Sequence, residues 1–166
     1  FVIDDDEIAD IGAVAGEVAA FIAPLALSRG KTVAVVDPPR PVLVRGNSDA
    51  LGRAVRNLVE NALTHTAPNS TVEIEVDPAG LLRVSDRGPG VPKGARAHIF
   101  RRFWRGDRRR SDSAGLGLAI VARIVEMHGA TISIDDRPGG GAVFTIRFPA
   151  VAPTPAQAPA QLEPAG

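Results

Sequence analysis

Two pairs of strand-like segments, each joined by a short turn, most constrain the fold of this 166-residue chain. Residues 71–77 and 81–86 flank a Pro-Ala-Gly turn, and residues 131–135 and 142–148 flank a turn with three successive glycines. Both patterns predict β-hairpins. A sheet built from hairpins buries one face against a second layer, so the rest of the chain must supply that layer.

Three segments of helical periodicity can form the second layer. They span residues 10–29, 48–65 and 115–128, and cap residues mark their ends. In the first of them, five apolar residues keep a helical spacing: Val14, Val18, Phe21, Ile22 and Leu25. Shorter strand-like segments cover residues 2–9, 31–36 and 42–45. Together the elements predict an α/β fold, a two-layer sandwich in which one mixed sheet packs against about three helices.

Composition narrows the classes of function. Nineteen basic and nineteen acidic residues balance, so no overall field attracts nucleic acid or an anionic membrane. The chain has no cysteine, which excludes disulfides and thiolate metal sites. We expect no apolar run near the ~20 residues of a membrane span. Residues 150–166 are rich in proline and alanine and are expected to be disordered, which leaves residues 1–149 as one domain.

A polar stripe runs along the second predicted helix. Asn57, Asn61 and His65 follow one another at four-residue intervals, so they stack on one side of the helix beside its apolar face. Asparagine is unfavourable inside helices, and two in register therefore suggest a site. Amide oxygens suit Mg²⁺ that keeps most of its water and phosphate ligands. A solvated flank of the helix explains the stripe equally well.

Two glycine-rich motifs follow. Residues 86–90 read Asp-Arg-Gly-Pro-Gly, where a carboxylate at a strand end can accept a hydrogen bond from the adenine amine and would repel the guanine carbonyl. Residues 113–120 read Ser-Ala-Gly-Leu-Gly-Leu-Ala-Ile, where glycines open a helix and expose N–H groups suited to phosphate. Taken singly, the first is more often an ordinary turn, and a flexible loop explains the second. Neither is a Walker A or Rossmann motif.

The stretch between the two motifs has no regular period. Six arginines occupy ten positions from 101 to 110, beside Phe100, Phe103 and Trp104. Aromatic anchors and arginines that reach phosphate oxygens describe a lid over a nucleotide. A solvated basic loop is the alternative, and the neutral overall charge disfavours a nucleic-acid surface.

In this order, the motifs resemble those of the ATP-binding catalytic domain of sensor histidine kinases, in the superfamily shared with DNA gyrase, MutL and the large heat-shock ATPases. The likeness covers about residues 7–149. Each family motif has a counterpart: residues 57–62 are similar to the N box, 86–90 to the G1 box, 100–105 to the F box, 115–120 to the G2 box and 141–149 to the closing strand.

The resemblance implies a magnesium and phosphate site. Asn61 would hold Mg²⁺ and Asn57 would lie beside the metal and the phosphates, so both are predicted metal ligands and, with Arg105, catalytic residues. Residues 87–114 would form an ATP lid that brings Arg105 and Arg108 near the phosphates. The start of the third helix would hold the triphosphate through Gly115, Leu116, Gly117 and Leu118.

The resemblance also implies an adenine pocket. Asp86 would bind the adenine amine, Gly88 and Gly90 would shape the pocket, and His65 takes the place of a tyrosine that contacts the base. Two further departures from the family pattern, Thr64 for a lysine and Ser113 for a glycine, predict altered affinity for ATP.

The implied activity is transfer of the ATP γ-phosphoryl group to a histidine. Gyrase-like ATPases carry a water-activating glutamate at the position of Asn57, and an amide cannot act as that base. In the family, the acceptor histidine precedes an acidic residue on a dimeric helical hairpin upstream, and no histidine here has such a neighbour. We expect a monomeric fragment of the cytoplasmic part of a membrane sensor, with a response regulator as downstream partner and no nucleic-acid partner. A nucleotide-sensing or partner-docking module without kinase activity is the alternative.

Overall fold

The structure, a computed structural model, describes residues 3–101 and 117–149. Within these ranges the chain forms seven strands and three α-helices. The strands are β1 (Ile8–Asp10), β2 (Thr32–Val36), β3 (Leu43–Arg45), β4 (Thr71–Asp77), β5 (Leu81–Ser85), β6 (Thr131–Asp136) and β7 (Ala142–Arg147). The helices are α1 (Ile11–Ser28), α2 (Ser48–His65) and α3 (Gly117–Met127), and a 3₁₀ turn spans Lys93–Ala95.

Five strands form one mixed sheet in the order β2-β4-β5-β7-β6. β2 and β4 are parallel, and the predicted hairpins β4–β5 and β6–β7 are antiparallel, as are β5 and β7. Burial alternates along β4 and β7, so that Ile74, Phe144 and Ile146 point into a core shared with the helices. All three helices contact strands of this sheet, which confirms the predicted α/β sandwich of a mixed sheet and about three helices.

β1 and β3 form a separate two-stranded sheet, where the sequence predicts a single one. Ala9 pairs with Val44, and both side chains are buried. The strand predicted over residues 2–9 is wrong in its start, since β1 begins only at Ile8, and helix α1 follows β1 directly. The Asp10 side chain accepts hydrogen bonds from two N–H groups in the first turn of α1, at 3.0 and 3.2 Å, which fixes that start.

Helix α1 is apolar on both its inner and its outer face. Its 18 residues have a mean hydropathy of 1.8, long and apolar enough to cross a membrane by length and composition, contrary to our expectation. Ile11, Ala15 and Ile22 nevertheless pack in the core of this domain. Two of the five residues whose spacing predicts the helix, Phe21 and Leu25, are 70% and 39% exposed, because the face in contact with the sheet runs through Ala15 and Ile22.

A buried histidine fixes how α3 lies on α2. His128 follows α3, and its Nδ1 lies 2.7 Å from the Ile124 carbonyl oxygen. Its Nε2 accepts a hydrogen bond from the N–H of Asn47, the N-cap of α2, at 3.2 Å. The end of α3 therefore meets the start of α2, and the two helices run antiparallel. With a length of about 16 Å, α3 begins at Gly117 beside the second half of α2.

Candidate functional site

Asp86 is the buried centre of the candidate site. It follows β5 directly and its side chain has no solvent exposure. Its Oδ1 accepts hydrogen bonds from the N–H of Gly88 at 2.9 Å and the N–H of Ala142 at 3.2 Å. Its Oδ2 is also buried, and within residues 3–101 and 117–149 no group donates to it. Since an unsatisfied buried acceptor is costly, this oxygen marks a place for a donor from a ligand.

Two glycines let the backbone close around Asp86. A Cβ atom at Gly88 would overlap the carbonyl group of His65 at the end of α2. A Cβ atom at Gly141 would overlap the carbonyl group of Asp86 itself, and Gly141 has a φ of +112°, which favours glycine. The turn after β5 is therefore held between α2 and the β6–β7 hairpin. Sequence reasoning missed the contributions of Gly141 and Ala142, although the run of three glycines signals a close approach.

The end of α2 is bonded to the same turn. Thr66 is buried, and its Oγ1 accepts a hydrogen bond from the N–H of Arg87 at 2.9 Å. The N–H of Ala67 in turn donates to the Arg87 carbonyl at 3.2 Å. These bonds fix His65, the last residue of α2, next to the turn that carries Asp86.

The predicted polar stripe lies along α2 as the spacing requires, with Asn57, Asn61 and His65 half-buried. The Asn57 amide donates to the Arg53 carbonyl at 2.9 Å. The amide oxygen of Asn57 is therefore the atom that can act as a ligand for a hard cation. In the part of the chain that the structure describes, the stripe runs toward the Asp86 turn at the end of α2.

The start of α3 completes the described part of the site. Gly117 is the first residue of the helix among the described residues, and the antiparallel packing places this end of α3 near the second half of α2. The Leu118 side chain packs against the core, so its backbone N–H is the group available to an anion. Four predicted site residues lie outside the described residues: Arg105, Arg108, Gly115 and Leu116.

The segment after the Asp86 turn is anchored to the sheet. The Arg96 guanidinium pairs with Asp136 at 2.7 Å and donates to the carbonyls of Val91 at 3.1 Å and Ile134 at 3.3 Å. The Phe100 ring meets Phe144 edge-on, with 6.2 Å between ring centroids, as expected of an aromatic anchor for this segment. Arg96 was missed because its partners on β6 are about forty residues away in sequence.

The family of the chain is shown by its sequence. Residues 46–152, more than half of the chain, match the family described as histidine kinase-, DNA gyrase B- and HSP90-like ATPases. The chain belongs to this ATPase family. The matched range contains α2, Asp86, α3 and the β6–β7 hairpin, which are the elements that build the candidate site.

Similar proteins place this ATPase-family domain among the ATP-binding catalytic domains of sensor histidine kinases. The probable sensor histidine kinase TcrY of Mycobacterium tuberculosis is 41% identical over 118 residues, which are 68% of this chain and 25% of that protein. The mycobacterial sensor histidine kinase MprB has a TM-score of 0.69 at 31% identity, over 84% of this chain and 94% of that one. Full-length ShkA in complex with AMPPNP has a TM-score of 0.67 at 30% identity, over 88% of this chain and 31% of that one. The chain thus spans about a quarter of the curated relative.

Proposed function

We propose that the domain binds ATP with Mg²⁺ and transfers the γ-phosphoryl group to a histidine on a separate helical hairpin of its parent protein. The observation that carries this proposal is the buried Asp86 Oδ2, which accepts no hydrogen bond from the described residues. The adenine amine is a donor that satisfies this oxygen, whereas the guanine carbonyl would be repelled. The ATPase family and the AMPPNP complex of ShkA support the same ligand.

The described residues fit a magnesium-bound triphosphate. Asn57 and Asn61 supply amide oxygens on one side of α2, and the N–H groups at Gly117 and Leu118 open α3 beside them. Mg²⁺, when bound, supplies neutralisation of phosphate charge. Oxygen ligands on one helix and N–H donors on the next match the two kinds of contact that a phosphate–metal pair requires.

We assign the remaining sequence-derived residues to the same ligand. His65 and the glycines at 88 and 90 would line the base, and Gly115 and Leu116 would extend the phosphate-binding backbone. Arg105 and Arg108, within a lid over 87–114, would contact the phosphates and spread transition-state charge.

In this transfer the domain acts mainly by positioning the reacting groups. The acceptor imidazole attacks the γ-phosphorus, the bond to the bridging oxygen breaks and ADP leaves, while the domain aligns the phosphate and balances its charge. Asn57 supplies no general base for water, so bound ATP is kept for the imidazole. Because ATP is a cytoplasmic substrate, we place the domain on the cytoplasmic side of a membrane sensor and a response regulator downstream of it.

The test is a phosphotransfer assay with radiolabelled ATP. We expect the chain alone to bind Mg-ATP without labelling itself, and to label the helical hairpin of its parent when the two are mixed. Asn61→Ala should abolish the labelling, and Glu75→Gln, exposed on strand β4, should retain it. Label on a histidine of this chain, or steady phosphate release that requires Asn61, would contradict the proposal.

A further inference from the structure

Strand β2 forms one edge of the five-stranded sheet and pairs with β4 on one side only. In this parallel ladder the N–H of Thr32 donates to the Ser70 carbonyl, so every second residue from Thr32 onward bonds to β4. The residues between them, Val33 and Val35, direct their N–H and C=O groups away from the sheet. In the part of the chain that the structure describes, no strand pairs with that side of β2. These backbone groups are therefore available to a further strand.

The two edges of the sheet differ in their protection against such pairing. At the other edge, β6 carries Asp135 and Asp136, and the Arg96 guanidinium donates to the Ile134 carbonyl. Charged side chains and a covering segment keep an edge strand from pairing with another chain. β2 reads Thr-Val-Ala-Val-Val and leaves Val36 52% exposed. Because it has no charge, proline or glycine, β2 lacks the features that block strand pairing.

The flank of α1 beside this edge is also uncharged. A Cβ atom at Gly12 would lie 2.9 Å from Pro38, two residues beyond the end of β2, so this flank of α1 lies on the β2 side. Helical spacing places Gly16 and Leu27 on the same flank. A Cβ atom at Gly16 would meet nothing within 4 Å, and Leu27 is 68% exposed. Glu17, the only charged residue of α1, instead shares a hollow with residues of α2. A second helix can therefore approach α1 closely from the β2 side.

We propose that β2 pairs with β2 of a second copy of the chain, antiparallel across a twofold axis at Ala34 that is perpendicular to the sheet. Val33 of each copy then faces Val35 of the other, and each such pair exchanges two hydrogen bonds. In the same register Lys31 faces Asp37 of the other copy, so opposite charges flank the contact at both ends. A shift of two residues in either direction sets Lys31 or Asp37 opposite a valine instead.

The sequence of β2 and its flanks favours a second copy as the added strand. The opposition of Lys31 and Asp37 arises only when β2 pairs with itself. The Lys31 ammonium already donates to the Leu63 carbonyl at 2.6 Å, and its three donors allow it to bind a carboxylate as well. Residues 150–166 are a poor alternative because they contain four prolines, which cannot donate to a neighbouring strand. The twofold axis also sets the two α1 helices side by side through their uncharged flanks.

Sedimentation velocity tests the contact in the 166-residue chain. One strand and one helix flank bury less than the ~800 Å² per partner of a stable complex, so a dissociation constant on the order of 10⁻⁴ M is expected. From about 10 µM to about 1 mM, the sedimentation coefficient should rise from that of a monomer toward that of a dimer. Hydrogen exchange of the Val33 and Val35 amides should slow severalfold over this range, because the dimer bonds them. A monomer throughout, or a dimer with unchanged exchange at both amides, overturns the proposal.

A charge exchange at Ala34 tests the register. Because this exposed residue lies on the axis, Ala34→Lys alone and Ala34→Glu alone each place like charges opposite one another, and each should weaken self-association at least tenfold. When the two variants are mixed, opposite charges face each other and association should return. Ser133→Lys, exposed on β6 at the far edge, is the matched control and should associate as the unaltered chain does.

Thermal unfolding shows that each variant is folded. Folded Ala34 variants that still self-associate, or that fail to associate on mixing, overturn the twofold arrangement. The contact includes none of the candidate-site residues, so calorimetry should give the same ATP affinity for all three variants. Failure of the contact is therefore visible separately from failure of the nucleotide site.

Discussion

Replacing Asp86 by asparagine exchanges one buried oxygen for an NH₂ group. The side chain cannot choose its orientation freely, because the N–H groups of Gly88 and Ala142 both point at Oδ1 from 2.9 and 3.2 Å. An acceptor must stay at that position, so the new NH₂ group takes the place of Oδ2. This NH₂ group then faces the adenine amine. Because both groups are hydrogen-bond donors, no hydrogen bond forms between them.

The expected loss of ATP affinity follows from these two changes. A hydrogen bond to a charged acceptor contributes about 1.5–3 kcal/mol, and a buried donor left without an acceptor costs about 1–3 kcal/mol. Because the two effects overlap at one atom, we expect about 2–4 kcal/mol in all, which is roughly a 30- to 700-fold rise in the dissociation constant for ATP. The same NH₂ group can donate to a carbonyl, so binding of ITP should improve relative to ATP.

Isothermal calorimetry with ATP and ITP, each with Mg²⁺, measures both effects. Asp135→Asn, at an exposed residue of strand β6, is the matched control and should bind ATP as the unaltered chain does. Thermal unfolding shows that each variant is folded. An unchanged affinity of Asp86→Asn for ATP, or an equal loss for both nucleotides, would refute the assignment of this carboxylate to the base.

Three further perturbations test the structure around the site. Gly141→Ala should lower the free energy of unfolding by about 1–3 kcal/mol more than Gly140→Ala in urea titrations. The two glycines have nearly the same φ, +112° for Gly141 and +111° for Gly140, but only a Cβ atom at Gly141 would meet the Asp86 carbonyl. Arg96→Ala should lower the unfolding temperature and weaken ATP binding, and restoration of both by Arg96→Lys would show that charge alone suffices. His128→Leu should cost about 1–3 kcal/mol of stability by leaving the part-buried N–H of Asn47 without its acceptor, with hydrogen exchange at the start of α2 as the readout. Equal costs of the two glycine variants, unchanged ATP binding without Arg96, or unchanged exchange in the histidine variant would contradict these expectations.

Local patterns predicted most elements of the fold. The bounds of α2 match the prediction because its cap, its apolar spacing and its amphipathic face agree. Both hairpins follow from turn residues and alternation. The pairing of β1 with β3 did not follow, because neither strand's partner can be read from its own few residues. Phe21 shows the same limit, since helical spacing identifies an apolar residue but not the face that meets the sheet.

The sequence predicts those candidate-site residues whose side chains have distinctive chemistry. Asp86 and the asparagines of α2 stand out in sequence because a carboxylate before glycines and amides inside a helix are unusual. Their supports were not predictable. Ala142 contributes only a backbone N–H, and Thr66 an ordinary hydroxyl, and both matter only because the fold brings them to the Asp86 turn.

The link between His128 and Asn47 makes α3 a lever with one fixed end. A rotation of about 10° around that end carries the first turn of the helix through about 3 Å, given a length of about 16 Å, while the core near the pivot barely moves. Small angular changes therefore produce large displacements at the Gly117 end and small ones at the His128 end. A ligand that contacts this first turn, as we propose for the triphosphate, would therefore be reported by the position of a single helix without repacking of the sheet beneath it.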